Sequence, residues 1–139
     1  YAKAWGFHVV GDYRNGKLYK MSRDYHNDNG AIMRSVRRTG FITHNTTMRK
    51  RSNKIRLRLK RSVANTSVET PNMMVRWREK KGPWSNTRHV SLGEVGEHDI
   101  WVELNQLGMY RSRQYEFIHT DNTDWILADG FEDITVLTR

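Results

Sequence analysis

Six histidines, His8, His26, His44, His89, His98 and His119, are the side chains best suited to hold a metal or move a proton. Their spacing matches neither a zinc site nor a metalloprotease motif, so each reads as a strand or loop residue. The carboxylates Glu94, Glu97, Asp99, Glu103, Asp121, Asp124, Asp129, Glu132 and Asp133 crowd the C-terminal third. A glycosidase needs two such groups facing one another across a cleft, which spacing alone does not provide. No serine sits in a nucleophile elbow. Gly93 and Gly96 do not make a dinucleotide fingerprint, and there is no phosphate-binding loop. With no cysteine in the chain, disulfides and thiolate metal sites are excluded. The stretch 22–30 carries Asp24, Asn27, Asp28 and Asn29, oxygens of the kind that hold calcium. Their spacing is not that of an EF-hand loop, and an ordinary turn is the better account. No catalytic residue, cofactor or metal ligand is therefore assigned, and the chain reads as a non-enzyme.

The sharpest feature is electrostatic. Between Arg34 and Arg61 lie 11 Lys and Arg and no acid. Residues 1–89 hold 21 basic against five acidic residues, a net of +16, and residues 90–139 hold three against ten, a net of −7. Three readings of the basic stretch stand side by side. It is a solvated or guarded strand face, or it contacts nucleic-acid phosphates beside stacking aromatics, or it docks on an acidic protein surface. The acidic third offers such a surface on a neighbouring copy, and plus-to-minus contacts of that kind close into rings. The interface candidates are Arg34, Arg37, Arg38, Arg49, Arg51, Arg56 and Arg58 on the basic side, and Glu94, Glu97, Asp99 and Glu103 opposite.

The elements that must position these groups are strands. At 139 residues the expectation is a chain able to bury a real core, and its start at Tyr1 suggests a piece of something longer. No apolar run approaches the ~18 residues of a membrane span, and no signal peptide is evident. The sequons at Asn45 and Asn65 then read as chance. Lys54–Lys60 alternates most cleanly, with Ile55, Leu57 and Leu59 facing a core. Val75 and Trp77 alternate with Arg76 and Arg78, a turn follows around Gly82-Pro83, and Val90 and Leu92 form the return strand. Trp77, Trp84 and Leu92 are core candidates, with Trp84 folding back over this hairpin. Further strands are expected at 5–10 and 17–21 around Asn15-Gly16, at 96–104, 113–119, 125–128 and 134–137. Turns are expected at 105–112 around Leu107-Gly108, at 121–124 and at Asp129-Gly130. Residues 44–53 read as a polar loop. Short strands with regular turn signals and no amphipathic helix argue for an all-β antiparallel sandwich over 43–139, preceded by a hairpin region over 1–42.

Several motifs in order carry a resemblance. The run Val9-Val10-Gly11-Asp12-Tyr13-Arg14-Asn15-Gly16-Lys17-Leu18-Tyr19 comes first. Val75-Arg76-Trp77 leading to Trp84-Ser85 follows, then Val90-Ser91-Leu92-Gly93 to Gly96, then Leu107-Gly108 and Arg111 to Phe117. Together they resemble the C-terminal part of the packaged-DNA stabilisation (tail hub, head-closure) proteins of short-tailed bacteriophages. The resemblance implies a β-rich structural protein of the virion tail, made in the host cytoplasm. It implies a hexameric ring beneath the portal that closes the channel and connects portal or adaptor protein, tail needle and tailspike. It also implies that the first hairpin is the remnant of a propeller-like region. The chain departs from the family in its turn. Glu79-Lys80-Lys81-Gly82-Pro83 stands where an Asp-Asp-Gly-Gly type turn is usual, so the framework carries over better than any contact of that turn. The alternative is a nucleic-acid-binding β domain using the same arginine face.

Overall fold

Alternation with a period of two dominates the structure, a computed structural model that describes residues 1–22, 24–60, 70–80, 82–94 and 96–138, with the backbone alone at Arg61. The sequon at Asn65 and the Lys81 position of the turn lie outside the described residues. In chain order the strands are β1 (Ala2–Ala4), β2 (Phe7–Gly11), β3 (Leu18–Met21), β4 (Asn27–Asp28), β5 (Ala31–Ile32), β6 (Ser35–Arg38), β7 (Lys50–Arg61), β8 (Asn72–Glu79), β9 (Arg88–Ser91), β10 (Asp99–Tyr110), β11 (Arg113–His119) and β12 (Trp125–Val136). Among the described residues there is no helix, hence none long and apolar enough to cross a membrane.

Two antiparallel sheets form the sandwich, one ordered β10-β7-β12 and the other β6-β11-β8-β9. Ile55, Leu57 and Leu59 of β7 point between them, each at most 5% exposed. They meet Met73 and Val75 of β8, Val90 of β9, Leu104 and Leu107 of β10, and Tyr115 and Phe117 of β11. Facing apolar sides of two twisted sheets bury one another in this way, and removal of that area from water is the main stabilising term. Because β6 pairs with β11 along Arg38–Glu116 to Ser35–His119, the sandwich takes its edge strand from before residue 43. The expected division at residue 42 therefore runs through the connection between that edge strand and β7.

The N-terminal strands are different. Strands β1, β2 and β3 pair only with one another, and β4 only with β5. The Asn15-Gly16 signal lies in the loop joining β2 to β3, where Gly16 has φ +67 and Asp12 and Asn15 brace the loop through their side chains. The polar stretch 22–30 holds a second tight turn at Asn29-Gly30, both at positive φ, with Gly30 N donating to Asn27 Oδ1. Among the described residues of 1–49 none is buried.

Three expectations change. Residues 50–53 continue β7 instead of looping, and Lys50 is fully buried. Its Nζ donates to the carbonyls of Thr46 and Met48, which satisfies an ammonium that polarity alone would place in water. Leu107-Gly108 does not turn the chain. β10 continues to Tyr110 across a bulge in which Gln106 and Gly108 adopt positive φ. Asp129-Gly130 likewise falls inside β12, which pairs with β7 from Trp125 to Val136 through two register shifts. Glycine, asparagine and aspartate signal backbone freedom, and a bulge uses that freedom as readily as a turn.

Candidate functional site

The charged groups converge in three places, and the pleat decides which. On the outer face of the β10-β7-β12 sheet, the outward residues of β7 are Lys54, Arg56, Arg58 and Lys60. β10 places Asp99 and Glu103 on one side of them, and β12 places Asp129 and Asp133 on the other. Arg58 donates from Nε to Asp99 Oδ1 at 2.9 Å and from Nη2 to Oδ2 at 2.5 Å. It also stands 3.8 Å from Asp129. Arg56 Nε lies 3.0 Å from Glu103 Oε1, and Lys54 Nζ 3.5 Å from the same oxygen. The hydrogen bond to Asp99 raises the Arg58 guanidinium above its ordinary value, and the same bond lowers the Asp99 carboxyl.

Trp101 of β10 and Phe131 of β12 meet above this row. Their ring centroids are 5.8 Å apart with planes inclined by 32°. Trp101 is 46% and Phe131 59% exposed. The Arg56 guanidinium lies 5.2 Å from the Trp101 ring centroid. Two rings from strands that do not pair with each other thus bridge over β7.

The outer face of the other sheet carries a clasp. Glu116 of β11 has no exposed side-chain surface, and it is held from both sides by Arg38 of β6 and Arg76 of β8. Burial pushes its carboxyl up, but the hydrogen bonds from Arg38 and Arg76 outweigh that and hold it below the usual carboxylate value. Trp84, from the loop after β8, roofs this row, 4.9 Å from Arg76 and 4.7 Å from Arg78. Its loop is pinned by Ser85, whose N donates to Trp77 O at 2.7 Å. Trp84 therefore folds back over the hairpin as expected but sits outside the core. Trp77 packs against the core and Leu92 lies within it.

Inside the sandwich, Glu132 gathers a polar cluster. Its Oε1 accepts from Ser52 Oγ at 2.6 Å and from Tyr115 OH at 2.8 Å, and its Oε2 lies 3.0 Å from His44 Nε2. Burial raises the Glu132 pKa, and the bonds from Ser52, His44 and Tyr115 more than reverse this. Desolvation first, and the Glu132 charge after it, push the Tyr115 hydroxyl well above its ordinary value. The cluster closes one side of a cleft of about 320 Å³ walled by Ile55, Leu57, Phe117 and Leu127. A nucleophilic triad needs imidazole between hydroxyl and carboxylate. Here the carboxylate is central and His44 faces Glu132, so the arrangement braces the sandwich and does not activate Ser52. Asp129 also lines this cleft, but it pairs with the outward Arg58 while Glu132 pairs with the inward Ile55, so the two carboxylates lie on opposite faces of β12. Among the described residues no three His, Asp or Glu converge as metal ligands. His119, which lines a neighbouring cleft, is engaged by Asn72 O and by Thr123.

Of the interface candidates, Arg56 and Arg58 are thus brought against Glu103 and Asp99 of the same molecule. These four are one surface, not a basic pole and an acidic pole on separate faces. Arg38 is committed to Glu116. Arg34, Arg37, Arg49 and Arg51 are exposed, and among the described residues they make no ion pair. Glu94 and Glu97 lie together in the loop before β10, where Glu94 N donates to Glu97 Oε2. Sequence reasoning passed over Trp101 and Phe131. Trp101 had a signal, since it alternates with Ile100 and Val102 and so must face outward. Phe131 had none, because the bulge after Leu127 sets its side.

No protein-family model matches the chain, and no curated protein matches it.

Proposed function

We propose that this protein is a structural component of a short-tailed phage virion. It is a strand-built block that closes the portal channel, retains packaged DNA and joins neighbouring tail proteins without catalysis. Copies of itself in a ring, a portal or adaptor protein, the tail needle and tailspikes are the proposed partners. The order of motifs from Val9 to Phe117 supports the family reading. The observation that carries the assembly reading is the unburied N-terminal region. Phe7, Leu18 and Met21 are 45%, 67% and 59% exposed on a three-stranded sheet that pairs with no other strand among the described residues, and Tyr1, Trp5 and Tyr13, at its end and in its turns, are more exposed still. Such a sheet is marginal alone and gains stability when another surface covers its apolar side chains. Of the interface candidates, Arg34, Arg37, Arg49 and Arg51, and Glu94 with Glu97, are left for contacts between molecules.

Those four free arginines also favour a second reading, contact with nucleic-acid phosphates. Two measurements separate them. Labelling of the chain in purified particles places it at the tail under the first reading, and particles without the label end that reading. Sedimentation of the full chain shows concentration-dependent association under the first. A monomer whose DNA affinity falls steeply with salt supports the second.

A further inference from the structure

The Trp101–Phe131 pair answers to neither the core nor the proposed contacts between subunits. Two large rings are half exposed side by side, on a face that is otherwise charged except for Asn105 and the exposed Ile126 beside Lys60. Two adjacent exposed aromatics are apolar surface that a ligand gains by covering. The rings are closer to coplanar than to perpendicular, and together they present a shallow platform above β7.

The charges around the platform identify what would lie on it. Lys54, Arg56, Arg58 and Lys60 are balanced one for one by Asp99, Glu103, Asp129 and Asp133. A charge-balanced row around the rings does little to draw a polyphosphate, because there is little counterion release to drive binding there. The apolar area is two rings with Ile126 at the Lys60 end of the row, too small for the hydrophobic centre of a stable protein interface. What remains complementary is a neutral molecule with an apolar face and a rim of hydroxyls. Its polarised C–H groups would lie on the ring faces, whose quadrupole is negative. Its hydroxyls would meet carboxylates that accept and guanidinium groups that donate. Those groups are already held in place by Arg58–Asp99 and Arg56–Glu103, so little further side-chain ordering is needed on binding.

We infer that the outer face of the β10-β7-β12 sheet is a binding site for a neutral oligosaccharide, with Trp101 and Phe131 as its stacking platform and Arg56, Arg58, Asp99 and Glu103 as its polar rim. The site is independent of the tail reading, since it uses none of the charges left for contacts between molecules.

The test is a panel of neutral glucose-, galactose- and mannose-based oligosaccharides presented to the full chain, followed by titration of the strongest binder. Tryptophan fluorescence should change on titration, and the affinity should be nearly independent of salt. Trp101→Ala should weaken binding about tenfold or more, and Phe131→Ala by a similar factor, as loss of one ring contact requires. Trp101→Phe, which keeps an aromatic face, should recover part of it. Both alanine variants are at exposed positions, and an unchanged melting temperature shows that they fold. The inference is overturned if no neutral sugar in the panel binds at millimolar concentration, or if Trp101→Ala binds as well as the parent chain. It is equally overturned if the same variants abolish salt-sensitive DNA binding or self-association instead, for then the platform serves a nucleic acid or a second copy.

Discussion

Val9 in β2 and Leu57 in β7 are both aliphatic residues in antiparallel strands. Leu57 is 2% exposed, whereas no residue of β2 is buried. Strand β2 has a hydrogen-bonded partner on each edge, but among the described residues no second layer buries its faces. The sandwich has both. Hydrogen bonding sets the register of a strand, and the second layer supplies most of the free energy, because net hydrogen-bond gains are small beside apolar burial. The N-terminal strands thus leave their apolar side chains uncovered among the described residues, whereas the two sheets of the sandwich bury theirs against each other.

Truncation in the core should produce the largest effect and so mark where stability resides. Phe117→Ala should cost about 3–5 kcal/mol in a urea or guanidinium melt. A loss under about 1 kcal/mol would mean that the two sheets are not packed as described. Next in size is the clasp on the outer face. Glu116→Gln leaves Arg38 and Arg76 facing each other without their shared anion. Breaking a buried pair costs about 3–5 kcal/mol, and the partial exposure of both arginines reduces this to about 2 kcal/mol. Adding Arg76→Met to the same chain should recover part of that loss, and a failure to recover would show that the arginines were not strained by one another.

Acid sharpens the comparison further. In the folded protein the carboxyls of Glu116 and Glu132 are both held below the ordinary carboxylate value by the groups that hydrogen-bond them. A depressed carboxylate contributes stability that is present above its unfolded pKa and disappears as pH falls through the folded one. Denaturation midpoints should therefore hold steady near neutrality and decline as pH drops below the ordinary carboxylate range. Glu132→Gln should flatten that decline. The smallest effect belongs to the uncovered sheet. Trp5→Ser and Tyr13→Ser should shift the isolated chain's stability by less than about 0.5 kcal/mol. A larger loss would reveal a covering layer within this chain and remove the contrast.

Legibility in the sequence followed period and burial. β7 was readable over 54–60 because unbroken alternation leaves only one face apolar there, as with Ile55, Leu57 and Leu59, and β11 was readable from Tyr115 and Phe117, but not the burial of Glu116 and Ile118 on its other face. The Val75–Leu92 hairpin was readable for the same reason. The lengths of β10 and β12 were not, since Leu107-Gly108 and Asp129-Gly130 carry the same local backbone freedom whether the chain reverses or merely bulges. Pairing with β7 along its whole length decided the matter, and pairing is not a local property.

What the amino-acid order alone determined is the all-β class, the inward residues of the central strand, and the segregation of basic and acidic residues along the chain. The chain order says nothing of who stands beside whom. Only the tertiary structure set β10 and β12 on either side of β7, so that acids distant in sequence became cross-strand neighbours of Arg56 and Arg58 at less than 4 Å. Coulomb energy depends on separation in space, which strand order and register fix and composition does not.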